Sequence, residues 1–181
     1  MFTATSPKRL ARIAGLLYLA VAVLGGPPQL VIRPMVRIAD DATATAQAVA
    51  TNETWLRVAF VSELADIVAF ILLVMVLYRL LRHVDRHIAA AMVALVAIAV
   101  AILSTNMINH LAAVVTATDP TLAAALGIPG SEGLTLLFLE LHEIGYGIGE
   151  VFFGLWLLPL GYLLTRGVNT VDRELPTPTP A

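Results

Sequence analysis

Cysteine is absent from the 181 residues. That removes disulfides, thiolate metal sites and thiol catalysis together, so a metal here would be held by His, carboxylate or amide oxygen. Charge is scarce as well. Asp, Glu, Lys and Arg make up 13% of the chain, where soluble domains carry about a quarter. No basic patch with interleaved aromatics occurs, which excludes nucleic acid as a partner. Also missing are the Gly-x-Ser-x-Gly elbow, the His-Glu-x-x-His helix and any nucleotide-binding loop. An ATP-driven pump is therefore excluded for this chain alone, and a hydrolase is disfavoured. Ser104 or Thr105 with His110 and Asp66 imitates a triad, but the hydroxyls are not on a strained turn. There is no internal repeat, and no cofactor is required by the sequence.

What is present is apolar: 59% hydrophobic residues and a mean hydropathy of +0.86. Four apolar stretches run over roughly 10–32, 57–81, 88–116 and 134–165, each long enough to span a bilayer at about 20 residues per crossing. The pattern predicts an all-α, membrane-spanning helix bundle with four transmembrane helices. It forms one domain over residues 1–166, followed by a disordered cytoplasmic tail over 167–181 that ends in the Pro/Thr-rich "ELPTPTPA". The basic start could suggest a signal peptide. However, Gly25, Gly26, Pro27 and Pro28 follow without a small-x-small cleavage site, so a retained helix, kinked or ended at the Pro pair, is favoured. Lys8, Arg9, Arg12, Arg79, Arg82, Arg86, Arg166 and Arg173 fall on one side; Arg33, Arg37 and Arg57 fall on the other. That bias places both termini in the cytoplasm. The first outer loop reads as a short Ala-rich helix capped by Asp40 or Asp41, the second as a helix capped by Asp119 with Pro120 in its first turn.

Ionisable residues inside these spans mark function by default. The second span carries Glu63 and Asp66 on one face, and the third carries Asn106, Asn109 and His110. The fourth carries Glu140, His142, Glu143, Tyr146 and Glu150. With Glu143 at zero on a helical wheel, Glu150, Gly154, Gly147 and Glu140 fall between about −20° and +60°, and His142 lies about 100° away. Carboxylates thus share a face with glycines, while Phe138, Leu141, Phe152 and Trp156 lie opposite. This predicts acids facing the bundle interior and aromatics facing lipid. Counting inward at 1.5 Å per residue puts Asp66 and Glu143 at about 13 Å and Asn109 and His110 at about 9–11 Å. Three helices then share one polar layer in the outer half, with Glu150 deeper.

Four unpaired carboxylates in one layer would be intolerable at about 2.5–3.5 kcal/mol each. Several are protonated, or a cation neutralises them, or water fills a cavity. The leading expectation is a protein that binds or relays a proton, cation or small polar ligand at this acid/His layer, open to the outer face. The alternative is a structural or accessory subunit whose polar residues only fix helix packing, the better reading for Asn106 and Asn109 taken alone. A membrane metalloenzyme comes third, with Asp66, His110 and Glu143 as candidate ligands and the metal unspecified; the spacing is not the Glu-x-x-His of di-metal bundles. The lipid bilayer is the partner, and the Gly-lined face of span four is a seam for a homodimer.

"RIAGLLYL" in the first span, "LRVAFVSEL" entering the second and "LFLELHEIGYGIGEVFFGLWLLPLGYL" in the last resemble a bacterial integral-membrane family, the domain-of-unknown-function 4386 family. Arg12, Ala14, Gly15, Tyr18 and Leu19 match its opening motif, and residues 141–155 match its longer, more specific one. The resemblance implies a multi-pass protein of a bacterial cytoplasmic membrane and no assigned activity. His142 and Tyr146 fit the family motif; Glu143 and Glu150 stand where members are often not acidic. Members also continue with a further hydrophobic hairpin, whereas this sequence turns polar after Arg166.

Overall fold

The structure, a computed structural model, describes residues 6–38 and 41–174. Among these there is no strand. Helix α1 (Pro7–Pro27) passes through a π-helical turn (Pro28–Ile32) into α2 (Arg33–Val36); α3 (Ala42–Thr51), α4 (Glu53–Leu81), α5 (Arg86–Thr118), α6 (Pro120–Leu126), α7 (Ile128–Leu155) and α8 (Leu157–Glu174) follow. Four segments are long and apolar enough to cross a membrane: Pro7–Val36, Glu53–Leu81, Arg86–Thr118 and Ile128–Gly167. The chain is an all-α membrane bundle of four spanning helices, as its apolar runs predict. Helix α8 reaches Glu174, past the start of the expected tail; residues 175–181, like the cap candidate Asp40, lie outside the described residues.

Local chemistry sets the helix ends. Asp41 caps α3 by accepting from the Ala44 N–H at 2.8 Å. Asp85 caps α5 through His87 and Ile88, and Asp119 caps α6 through Thr121 at 2.7 Å. Each satisfies amides that a helix start leaves without a partner. Gly127 closes α6 at φ 74°, a conformation favouring glycine.

The first span holds the most consequential irregularity. Pro28 has no N–H, so the carbonyl four residues back, Leu24 O, loses its intrahelical donor. The Ser62 hydroxyl from α4 replaces it, at 2.7 Å. The chain then widens into the π turn, with the Arg33 N–H bonding back to Pro28 O. One extra residue in a turn rotates everything beyond it by about 100°. The helix thus continues past its Pro pair and is re-aimed there.

Packing runs in sequence: α1 on α4, α4 on α5, α5 on α7. The backbones of α1 and α7 do not approach one another, which leaves a cleft between the first and last spans. Closeness of α5 to α7 depends on glycine. A Cβ on Gly149 would stand 2.7 Å from Leu103 Cδ2, and one on Gly145 would overlap the Asn106 carboxamide. Apolar clusters close the bundle at both ends. One gathers Phe70, Leu73, Met92, Val96, Trp156 and Leu163; the other gathers Val36, Val49, Leu56 and Val114. The polar residues lie between them.

Candidate functional site

Three buried polar side chains from three helices converge: Glu63 of α4 at 7% exposure, His110 of α5 at 2% and His142 of α7 at 3%. One ligand-type atom from each lies within 4.8 Å of the other two. The His110 and His142 rings meet edge to face, with centroids 5.3 Å apart.

Each of the three is held from behind. His110 Nε2 donates to Leu56 O at 3.0 Å, and His142 Nδ1 donates to Asn106 O at 3.1 Å. A carbonyl only accepts, so these nitrogens carry the protons and, in the neutral rings, the opposite nitrogens carry the lone pairs. Asn106 returns the bond, its Nδ2 donating to His142 O at 2.7 Å, and Asn109 Nδ2 donates to Asn106 Oδ1 at 3.0 Å. Asn106, steadied by Asn109 on its own helix, therefore ties α5 to α7.

Glu63 Oε1 accepts from Arg33 Nη2 at 2.8 Å. That arginine was expected outside the membrane. The π turn brings it inward, where its guanidinium lies 4.3 Å over the Tyr146 ring. Arg33 and Gln29 are the site residues that sequence reasoning missed. The signals were there: a Pro pair able to re-aim the chain, and an acid-rich layer in want of a cation.

Two cavities adjoin this cluster. The larger, about 720 Å³, is bordered by Gln29, Arg33, Arg37, His110, His142 and Tyr146 among others. The smaller, about 280 Å³, is bordered by Gly25, Gln29, Glu63, Asp66, His142 and Tyr146 and by an apolar wall that includes Phe70 and Phe153. Five buried polar atoms of residues that border these cavities have no hydrogen-bond partner: Gln29 Nε2, Arg33 Nε, Glu63 Oε2, Asp66 Oδ1 and His142 Nε2. The sixth such atom among the described residues, Trp156 Nε1, lies away from both.

The other expected residues are placed differently. Asp66 is half-buried at the smaller cavity, where a Cβ on Gly25 would meet its Oδ2 at 3.0 Å. Glu143 is 56% exposed and pairs with Arg37 at 2.6 Å at the edge of the larger cavity. Glu150 is exposed and borders both cavities, while Glu140 is exposed and borders neither. Asp66, His110 and Glu143 thus do not form the trio expected of them; His110 stands with Glu63 and His142.

The reason is the rotation of α7. Its buried positions are Ser131, Thr135, His142 and Gly149, with Trp156 directly beyond its end. From Thr135 on they recur every seven residues, about 120° round the helix from Glu143. Glycines that accept close contact set this face, and they are Gly145 and Gly149. Gly147 and Gly154, which share the acids' face, have nothing within 4 Å. Trp156, expected toward lipid, is 1% exposed.

A family model described as a domain of unknown function, DUF4386, matches residues 13–169. No curated protein and no solved structure matches the chain.

Proposed function

This chain belongs to the DUF4386 family, and on that premise we propose that it is a multi-pass membrane protein that binds a cation or small polar ligand between its first and last spans. The reading rests on one observation: five unpartnered buried polar atoms, all on residues that border two adjoining cavities. Each such atom costs about 1–3 kcal/mol. Five together approach the whole stability of an ordinary domain, about 5–15 kcal/mol. A guest bound in the cavities would supply such partners.

Charge selects among occupants. Arg33 and Arg37 are matched by Glu63 and Glu143. Asp66 and Glu150 border the smaller cavity and form no ion pair among the described residues. The surplus is negative, which favours a cationic or hydrogen-bond-donating guest. With the basic residues weighted toward Lys8, Arg79, Arg82 and Arg86, both termini are cytoplasmic, and the site belongs to the outer half of a bacterial cytoplasmic membrane. The open space before Gly147 and Gly154 leaves that face of α7 free for a second copy. The bonds from Asn106 to His142 O and from Asn109 to Asn106 favour, for the two asparagines, the second reading of a register lock.

The test is thermal unfolding of the detergent-purified protein against a panel of alkali, alkaline-earth and first-row divalent cations and small alkylammonium ions. At least one class should raise the midpoint in the wild type and fail to do so in Asp66→Asn/Glu63→Gln. Identical midpoints across the panel overturn the reading.

A further inference from the structure

Resting on that reading, the geometry points to a divalent transition-metal site of the zinc class, for which we propose Glu63 Oε2, His110 Nδ1 and His142 Nε2 as ligands. Two imidazole nitrogens and one carboxylate oxygen are the donor set of borderline ions such as Zn²⁺. Ca²⁺ and Mg²⁺ need six or more oxygens, which this cluster cannot supply.

Orientation supports the assignment more strongly than proximity does. Metal-bound histidines ordinarily give their second ring nitrogen to a carbonyl or carboxylate, which fixes the tautomer and aims the lone pair. Both histidines do so here, through Leu56 O and Asn106 O. Arg33 holds Glu63 by Oε1 alone and leaves Oε2 without a partner. His142 Nε2 is likewise buried and unpartnered. Three ligands thus arrive from three helices with their outer contacts already made. One ligand-type atom of each residue already lies within 4.8 Å of the others; around a tetrahedral ion with bonds near 2.1 Å the three ligand atoms would stand about 3.4 Å apart.

Protein supplies three ligands, and His110 and His142 border the larger cavity. The fourth position therefore faces a space able to hold water or a guest, the pattern of an open rather than a closed zinc site. Asp66 and Glu150, beside the cluster and without ion pairs among the described residues, offset the charge of the ion.

The experiment uses the full chain without a polyhistidine tag, freed of metal by chelator, in detergent. His83 and His87 are replaced by Asn to remove a surface chelate. Zn²⁺ binding is measured by equilibrium dialysis with elemental analysis, and Co²⁺ by its visible absorption. One ion per chain is expected, with the intense Co²⁺ bands of four- or five-coordination and a raised unfolding midpoint. Glu63→Gln, His110→Ala and His142→Ala should each weaken binding by about 100-fold or more, beyond the 10–100-fold of outer-contact changes. Glu140→Gln, at an exposed acid that borders neither cavity, should retain the stoichiometry. Where His142→Ala fails to give a monodisperse protein, Glu63→Gln, which keeps the shape of its side chain, decides. No stoichiometric ion in folded wild type, or binding that survives all three ligand changes, overturns the metal site. If alkali or ammonium ions still shift the wild-type midpoint, the broader cation reading stands without it; if nothing does, both fall.

Discussion

Replacing Arg33 by methionine removes the one guanidinium that bonds Glu63 among the described residues. The bond lost is charge-assisted, 2.8 Å long, and joins side chains only 20% and 9% exposed. Such bonds contribute about 1.5–3 kcal/mol. The stacking of the same group over Tyr146, 4.3 Å from the ring centroid, adds about 0.5–2 kcal/mol. Together they predict a loss near the 3–5 kcal/mol of breaking a buried pair and leaving one charge behind. Glu63→Gln alone should cost less, because the amide still offers Arg33 an oxygen. Replacing both residues by methionine removes the stranded charge and should return the protein to within about 1 kcal/mol of wild type. The assay is equilibrium unfolding in mixed micelles followed by circular dichroism, with chelator present throughout, read as a double-mutant cycle. An Arg33→Met loss under about 1 kcal/mol, the range of solvated pairs, or strictly additive losses in the double variant, would refute a buried pair re-aimed by the π turn.

Three further outcomes follow from the packing. Gly145→Ala drives a Cβ into the Asn106 carboxamide and should destabilise by about 1–3 kcal/mol. Gly147→Ala, two residues on with nothing within 4 Å, should be neutral or gain about 0.5–1 kcal/mol; paired thermal melts compare them, and equal effects would mean that α5 does not set the rotation of α7. Ser62→Ala removes the donor to Leu24 O and should cost about 1–3 kcal/mol by stranding that carbonyl, measured by the same unfolding assay. At the exposed start of α6, the hydrogen bond from the Thr121 N–H holds the Asp119 carboxyl below its ordinary range. A depressed folded-state value means the cap is intact above the unfolded value, about 3.9, and is lost as pH falls through the folded one. Amide exchange at Thr121 should therefore quicken only at acid pH, and Asp119→Asn should abolish that dependence.

How much of this was legible depends on which physical signal each feature left in the chain. The spans were readable because about 20 consecutive apolar residues form a long signal, and the starts of α3 and α6 because Asp41 and Asp119 are strong cap residues. The rotation of α7 was misread because charge was given more weight than contact distance. In lipid the apolar side of a helix is not its buried side, and close packing rather than polarity selects the interface. The readable mark was the seven-residue recurrence of Thr135, His142, Gly149 and Trp156. Glu63 lies on the corresponding seam of α4, seven residues from Leu56 and from Phe70, all three buried. His110 lies on that of α5, between the buried Asn106 and Ala113. The three polar residues of the cluster are thus those whose own helix seams carry them inward.

Arg33 was hidden for a different reason. No pattern in "PPQLVIRP" distinguishes a helix that ends from one that widens by a residue and continues. The outcome turns on whether a neighbouring helix can satisfy the carbonyl that proline strands, and here Ser62 does so from another span. A hydroxyl 38 residues away thereby decides that a cation enters the bundle, and with it the charge, shape and donor set of the cavity. Ser62→Ala consequently probes more than one hydrogen bond. If the π turn depends on that donor, the variant should also weaken the Arg33–Glu63 coupling measured in the cycle above. A coupling unchanged in the Ser62→Ala background would show that the prolines alone hold Arg33 in place.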